Sequence, residues 1–381
     1  MIISPAGLEI IEKLEKSGFE AYFVGGCVRD VLMGKHPGDI DITTSASPEE
    51  VIHIFEKTYP TGINHGTVTV AENGILAEVT TYRCEKGYKD FRHPDGVEFV
   101  SDIGEDLCRR DFTVNAIAYN PSKGIVDNFG GQKDVESKVI RCVGEPDSRF
   151  AEDALRMVRA VRFAAVLGFE IEQKTLDAIK KNAHLASSIS KERIAVEFEK
   201  TVLGDFPENA KLWQETGLIK YLAENSKAID FLTFKKLANL PKIAPLRFAV
   251  IMNGGGAAEF LKELRFSNEI IKTTESLIVG IGIETPIEIK RYINKNGIKN
   301  AELLVYINSI KYKTELEKIF SEKHPIFIRD LKINGTDIME MGITGKKTGQ
   351  ILLHLLEKVW ENPGMNTKEK LIKLIEEDFA E

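Results

Sequence analysis

Cysteine is scarce in this 381-residue chain: Cys27, Cys84, Cys108 and Cys142 stand apart, with no CxxC pair among them. That spacing suggests neither a zinc knuckle nor a disulfide scaffold and fits a reduced compartment. Long apolar runs are missing too. A membrane span needs ~18–20 apolar residues, whereas the best candidates, residues 277–283 and 303–307, are short and have charges close by. The opening Met1-Ile-Ile-Ser-Pro has no basic segment of the kind that begins a secretory signal. There is no fixed-period repeat and no low-complexity tract. Positive charge is not in excess either: 51 Lys and Arg stand against 58 Asp and Glu, a net charge of −7. Any contact with nucleic acid must therefore come from local basic patches. These absences describe a soluble, cytoplasmic protein with no membrane partner.

With 43% apolar and 29% charged residues, the chain has ordinary globular material. Its length suits two to four domains at ~100–200 residues each. The first part mixes short β-type runs (21–24, 39–43, 66–71, 75–83, 96–100, 113–119) with helical stretches near 5–17, 28–33 and 48–57. From Ser148 onward helix-period patterns dominate, beginning with 149–167, 173–182 and 191–203. Pro207, Pro241, Pro245, Gly254-Gly255-Gly256 and Pro286 punctuate that half. The expectation is an α/β head over 1–137, a helical neck over 138–203, a helical body over 204–300 and a helical tail over 301–381.

The sharpest local feature is Gly25-Gly26-Cys27-Val28-Arg29-Asp30, followed by Gly38-Asp39-Ile40-Asp41-Ile42-Thr43. The run before Gly25 feeds a glycine turn and a short helix, where backbone N–H groups can approach an anion. Arg29, in the first turn, adds a charged clamp for phosphate oxygens. On a strand, period two sets Asp39 and Asp41 on one face and Ile40 and Ile42 on the other. Paired carboxylates repel unless a cation lies between them, and hard oxygen ligands suit Mg²⁺. Glu78 interrupts the apolar run 75–83 as a third acid, the set that two-metal phosphoryl transfer employs. A polar-faced surface strand and an ordinary glycine turn explain the same residues.

The order of motifs goes further. Gly25-Gly26-x-Val-Arg-Asp with Asp-x-Asp-x-Thr, then Arg109-Arg110-Asp111-Phe112-Thr113-Val114-Asn115-Ala116, resembles the class II tRNA nucleotidyltransferase and bacterial poly(A) polymerase family. So do Asp127-x-x-Gly130-Gly131-x-x-Asp134, Glu152-Asp153-Ala154-Leu155-Arg156, and Glu192-Arg193-Ile194 with Glu197 and Lys200. The resemblance covers roughly residues 20 to 200 and is weaker beyond, where Lys332-Ile-Asn-Gly335 and the helix after Gly345 are similar to the family's tail. It implies a polymerase-beta-like nucleotidyltransferase head and an elongated, multi-domain molecule with an all-α neck, body and tail, the tail binding tRNA. It implies catalysis by Asp39, Asp41 and Glu78, with Mg²⁺ on Asp39 and Asp41. It also implies nucleotide binding by Gly26, Arg29 and Arg110, and ribose contacts from Asp111 and Asn115.

Residues 152–166 form a helical pattern on which Asp153, Arg156, Arg159 and Arg162 recur every third residue. A solvated charged stripe is the ordinary explanation of such spacing. The resemblance reverses it, implying that Asp153 and Arg156 read the incoming base while Arg159 and Arg162 line the same pocket. Cytosine and adenine each present an exocyclic amine beside an acceptor nitrogen; uracil and guanine present a carbonyl beside an N–H. A carboxylate that only accepts, next to a guanidinium that only donates, matches the first pair and mismatches the second.

Within the family, CCA addition, CC-only addition, A-only addition and poly(A) synthesis compete. Residues 85–96 read as a basic, aromatic-interleaved loop suited to tracking RNA, or as a plain hairpin loop. In the family such a loop accompanies addition of the terminal adenosine, so the expected activity is untemplated addition of CCA to the tRNA 3′ end from CTP and ATP. The partner is the tRNA acceptor arm and 3′ end, and the choice between monomer and homodimer stays open. The phosphohydrolase domain fused to some relatives is not expected, since no His-Asp dipeptide occurs. Outside the family, a DxD-bearing glycosyltransferase leaves Arg-Arg-Asp and Glu-Asp-x-x-Arg unexplained. An inactive tRNA-binding protein would be expected to have lost an acid, and all three are present.

Overall fold

The computed structural model describes residues 3–88, 94–224 and 226–379. The chain divides into two compact units. One comprises residues 1–227 with 231–238 and 263–266; the other comprises 228–230, 239–262 and 267–381.

The first unit begins with helix α1 (Pro5–Lys16), whose start follows from its sequence. Ser4 caps Gly7 N, Pro5 needs no helical hydrogen bond at that position, and Gly7, Ile10, Ile11 and Leu14 form the buried stripe. Strand β1 (Ala21–Val24) is buried along its whole length and feeds α2 (Gly26–Leu32). Next come β2 (Ile40–Thr44) and α3 (Pro48–Ile54), opened by a Ser47–Glu50 capping box. Strands β3 (Thr58–Gly62), β4 (Thr67–Glu72) and β5 (Ile75–Thr81) complete one flank. Strands β6 (Arg83–Tyr88) and β7 (Pro94–Phe99) pair separately as a hairpin. After α4 (Ile103–Cys108), β8 (Ala118–Asn120) and β9 (Gly124–Val126) form the other flank. The main sheet has the order β3-β4-β5-β2-β1-β8-β9. Strand β2 runs parallel to β5 and antiparallel to β1. The head is therefore α/β, as expected.

Within the head, two sequence expectations change. Residues 113–119 are not one strand: a single 3-10 turn over Thr113–Asn115 precedes β8, because Thr113 Oγ1 is held by Asp134 Oδ2 at 2.6 Å. The loop expected over 85–96 is mostly paired strand backbone, with β6 reaching Tyr88 and β7 starting at Pro94. Residues 89–93 of that segment lie outside the described residues.

Helix α5 (Gly131–Glu136) starts where Asp127 accepts from Gly131 N at 2.7 Å and Gln132 N at 2.9 Å. A Cβ at Gly131 would lie 2.2 Å from the Thr113 carbonyl oxygen, so only glycine allows this approach. Helices α6 (Pro146–Glu152), α7 (Leu155–Leu167), α8 (Gln173–Asn182) and α9 (Lys191–Val202) follow. The single helix expected over 149–167 is thus two. Asp153 is extended (φ −136°, ψ 106°), and its Oδ1 accepts from Leu155 N at 3.0 Å, restarting the chain as α7.

The second unit is helical, with helices including Ala244–Ile251, Asn268–Gly280, Pro286–Asn296, Ile310–Ser321, Lys346–Glu361 and Lys368–Phe379. One buried cluster runs from Leu246 to Ile326 around Leu277, Ile293 and Leu316. Another runs from Leu331 to Ile375 around Leu355, Val359 and Leu371. Asn334 opens a helix by accepting from Thr336 N and Asp337 N, which gives Lys332-Ile-Asn-Gly335 a structural role. Among the described residues no helix is long and apolar enough to cross a membrane.

Candidate active site

Strand pairing settles where the acids stand. Asp41 on β2 and Glu78 on β5 are direct Cα partners across the parallel pair. Asp39 occupies the bend before β2, exposed, while Ile40 and Ile42 are buried on the opposite side. Burial, then the charge of Glu78, pushes the Asp41 carboxyl up to about 6, with Arg110 opposing and Asp39 adding to the rise. Among the described residues no three acidic, histidine or cysteine side chains are grouped as a metal ion would require.

Beside these carboxylates opens a cavity of about 510 Å³. Gly25, Gly26 and Arg29 line it from the β1–α2 turn, and Asp39 and Asp41 from the start of β2. Gly25 has φ 74°, a left-handed value, and a Cβ there would lie 3.1 Å from Arg110 Nη1. The turn needs glycine on both counts. Arg109 and Arg110 enter from the end of α4, tied to one carboxylate. Asp106, fully buried, accepts from Arg109 Nη2 at 2.7 Å through Oδ1, and from Arg110 Nη2 at 3.1 Å and Thr43 Oγ1 at 3.3 Å through Oδ2. Burial would raise the Asp106 pKa, but the two guanidiniums outweigh it and hold the group ionised. Arg110 Nε is buried with no hydrogen-bond partner, a donor that an anionic ligand can satisfy.

The far wall comes from α7 and its neighbours. Arg29 Nη1 donates to Asn115 Oδ1 at 2.6 Å, and Asn115 Nδ2 donates to Asp111 Oδ1 at 3.1 Å. Asp111 Oδ2 accepts from Arg159 Nε at 2.8 Å, and Glu197 accepts from Arg162 Nε at 2.8 Å. Burial acts to raise the Asp111 carboxyl, yet Arg159 and the hydrogen bonds hold it down at about 2. The Phe163 ring lies under three guanidiniums at once: Arg162 at 3.5 Å, Arg159 at 5.2 Å and Arg29 at 5.5 Å from its centroid. Asp153 and Arg156 line the same cavity. Asp153 Oδ2 accepts from Arg193 Nη2 at 2.9 Å, and Arg156 donates to Glu152 Oε2 at 2.6 Å and to the Arg109 carbonyl at 3.0 Å.

Six arginines beside a carboxylate pair give this cavity the donors and charge to hold a polyanion next to the acids. Residues 21–141 match the Poly A polymerase head domain, and residues 168–229 match the probable RNA and SrmB-binding site of polymerase A. The CCA-adding enzyme of Ligilactobacillus salivarius is 41% identical over 97% of this chain and 96% of its own length. That of Anoxybacillus flavithermus is 41% identical over 96% of this chain and 94% of its own. The chain belongs to the CCA-adding enzyme family. The Bacillus stearothermophilus CCA-adding enzyme, solved in complex with CTP, superposes with a TM-score of 0.84 at 33% identity, covering 98% of each chain. Kinship with CCA-adding enzymes thus extends well past residue 200, where the motifs thin out.

All the residues that the sequence proposes for nucleotide and ribose contact line this one cavity: Gly26, Arg29, Arg110, Asp111, Asn115, Asp153, Arg156, Arg159 and Arg162. Glu78 does not; with Asp39 and Asp41 it borders a neighbouring cavity. Asp111 and Asn115 are engaged with each other and with Arg159 and Arg29, so within the protein they brace the arginine wall. Sequence reasoning passed over Asp106, Arg193 as the partner of Asp153, and Phe163 altogether. Phe163, on α7, sits at i+4 from Arg159, a spacing that places both on one helix face and was available as a signal.

Proposed function

We propose that this member of the CCA-adding enzyme family completes the 3′ end of tRNA by untemplated addition of C, C and A from CTP and ATP. The observation that carries this reading is the presence of Asp153 and Arg156 in the arginine-lined cavity that also contains Asp39 and Asp41. Arg29 and Arg110 bind the triphosphate, and Arg159 and Arg162 complete the wall around the nucleotide. Asp153 accepts from the exocyclic amine of cytosine or adenine, and Arg156 donates to the adjacent ring nitrogen. Wrong bases would leave buried donors and acceptors unpaired at ~1–3 kcal/mol each. The tRNA 3′-oxygen forms a bond to the α-phosphorus, the bond to pyrophosphate breaks with its electron pair, and Glu78 supports loss of the hydroxyl proton.

Asp39 and Asp41 would hold Mg²⁺, which commonly uses one or two protein carboxylates and completes its shell with water and substrate phosphates. Burial, then repulsion from Glu78 and more weakly from Asp39, pushes the Asp41 carboxyl up, and a cation beside it would offset these costs. Bound there, the ion would supply charge neutralisation at the triphosphate and a more acidic attacking hydroxyl.

Head residues 1–137 then supply catalysis, neck residues 138–203 select the base, residues 204–300 form the helical body, and the tail at 301–381 binds the tRNA. Every tRNA must be accepted, so phosphate and shape contacts predominate over base contacts. A cytoplasmic location accords with four unpaired cysteines. Incubation with labelled CTP or ATP, Mg²⁺ and tRNA lacking its 3′ end tests the proposal. Incorporation of two cytidines and one adenosine is expected; no incorporation would sink it, and A-only, CC-only or long poly(A) products would reassign it within the family.

A further inference from the structure

A second cavity, of about 670 Å³, meets the arginine-lined one at Asp39 and Asp41, its walls continuing through Glu78 to Tyr59, Thr61, Thr69 and Leu76. The strand register explains its floor. Asp41 pairs with Glu78, Glu78 with Thr69, and Thr69 with Tyr59, one row crossing β2, β5, β4 and β3. Residues directly opposite on paired strands point to the same side. The row therefore leads away from the carboxylates on one face, over three strand spacings or roughly 14 Å.

The two cavities differ in chemistry. Six arginines line the first, whereas among the described residues lining the second there is no lysine or arginine. A triphosphate has its counter-charges only in the first. The second offers an exposed aromatic ring, Tyr59 at 41% exposure, an exposed aliphatic side chain, Leu76 at 64%, and a hydroxyl pair, Thr61 and Thr69, 2.9 Å apart. That set suits a sugar and a base rather than a phosphate. In nucleotidyl transfer the attacking oxygen and the leaving pyrophosphate lie roughly in line on opposite sides of phosphorus. With the triphosphate among the arginines, the attacking hydroxyl approaches the shared carboxylates from the Tyr59 side.

We propose that this strip seats the terminal nucleoside of the RNA that receives the new nucleotide. Tyr59 and Leu76 pack against its base, the threonine hydroxyls face its ribose, and its 3′-hydroxyl lies at Asp41 and Glu78. The assignment rests on the nucleotidyl-transfer reading, and it makes Tyr59 a positioning residue for the primer. Stacking on an aromatic face tolerates any base, as successive primers ending in different nucleotides require.

The test uses tRNA lacking its CCA end and carrying 2-aminopurine as its last residue, titrated with wild type, Tyr59→Phe, Tyr59→Ala and Leu76→Ala. Tyr59 is exposed on the edge strand, so its replacement leaves the core intact. Wild type and Tyr59→Phe should quench the fluorescence several-fold, and Tyr59→Ala should lose most of the quenching. In turnover, Tyr59→Ala should lower kcat/KM for tRNA about tenfold and leave KM for CTP within about twofold. Leu76→Ala should show the same pattern more weakly. Unchanged quenching and primer kinetics in Tyr59→Ala, or a parallel rise in KM for CTP, would overturn the subsite. A wild type that quenches in a Tyr59-dependent way but transfers no nucleotide would defeat the enzymatic reading and uphold the subsite.

Discussion

Arg193 on α9 donates a 2.9 Å hydrogen bond to Asp153 Oδ2, at the point where the chain breaks between α6 and α7. The other oxygen of Asp153 caps α7 through Leu155 N at 3.0 Å. The proposed base-reading acid is therefore aimed from two sides, and Arg156 is aimed by Glu152 and the Arg109 carbonyl. Charges that read a base gain selectivity when their orientation is set before the base arrives.

Losing Arg193 should loosen base choice more than chemistry. Arg193→Ala is expected to reduce the preference for CTP over UTP about tenfold, the scale of one mispaired buried group, read as the ratio of kcat/KM values. Exchanging the readers, Asp153→Arg with Arg156→Asp, should shift preference toward UTP and GTP at much lower activity. The loss arises because the new arginine faces Arg193 and the new acid faces Glu152; Arg159 and Arg162 are already engaged by Asp111 and Glu197. An exchange that kept the CTP preference would show that the pair does not read the base.

Asp39→Ala or Asp41→Ala should abolish CMP and AMP addition alike, with tRNA affinity retained. Filter binding and single-turnover assays on the same preparations separate the two. Near-normal turnover in either variant would remove the carboxylates from the chemistry.

The Asp111–Arg159 pair makes an acid-side stability prediction. The Asp111 carboxyl is held at about 2 in the fold against ~3.9 in an unfolded chain. Its contribution is thus full above roughly pH 4 and is lost as pH falls toward about 2, amounting to about 3 kcal/mol. Urea melts of wild type and Asp111→Asn should differ most near neutral pH and converge below roughly pH 4. A gap that stays constant through that window would mean the pair is not the source.

Deleting residues 89–93 should spare both CMP additions and block the final AMP, seen as products ending in CC. Equal loss of all three additions would make the hairpin structural and leave CCA addition without support from this segment.

Affinity for tRNA should fall steeply as salt rises, because phosphate contacts release counterions. The slope of log affinity against log salt, measured by anisotropy, checks this. A flat response would point to base-specific or apolar recognition instead.

Much of the site was legible because its rules are local. Alternation in Asp39-Ile40-Asp41-Ile42 decides the buried and open faces from side-chain geometry alone, and the structure keeps both isoleucines buried. Gly25 announces a turn whose left-handed backbone, at φ 74°, larger residues rarely adopt. The ordered motifs carry the family kinship for the same reason: each is a short run whose chemistry needs those residues in that order. Tertiary structure decided what depends on distant partners. Whether Glu78 meets Asp41 is a matter of which strands pair, across 37 positions that no local pattern spans. The helical pattern over 152–166 gives no hint of the break at Asp153, because the carboxylate that restarts α7 answers to Arg193, 40 residues further on. That Asp111 also pairs with Arg159, 48 residues away, is likewise invisible in the local pattern. Periodicity sets which way a side chain points, but its partner is chosen by packing, and in this site packing decides which charges are held by one another and which stay open to the cavity.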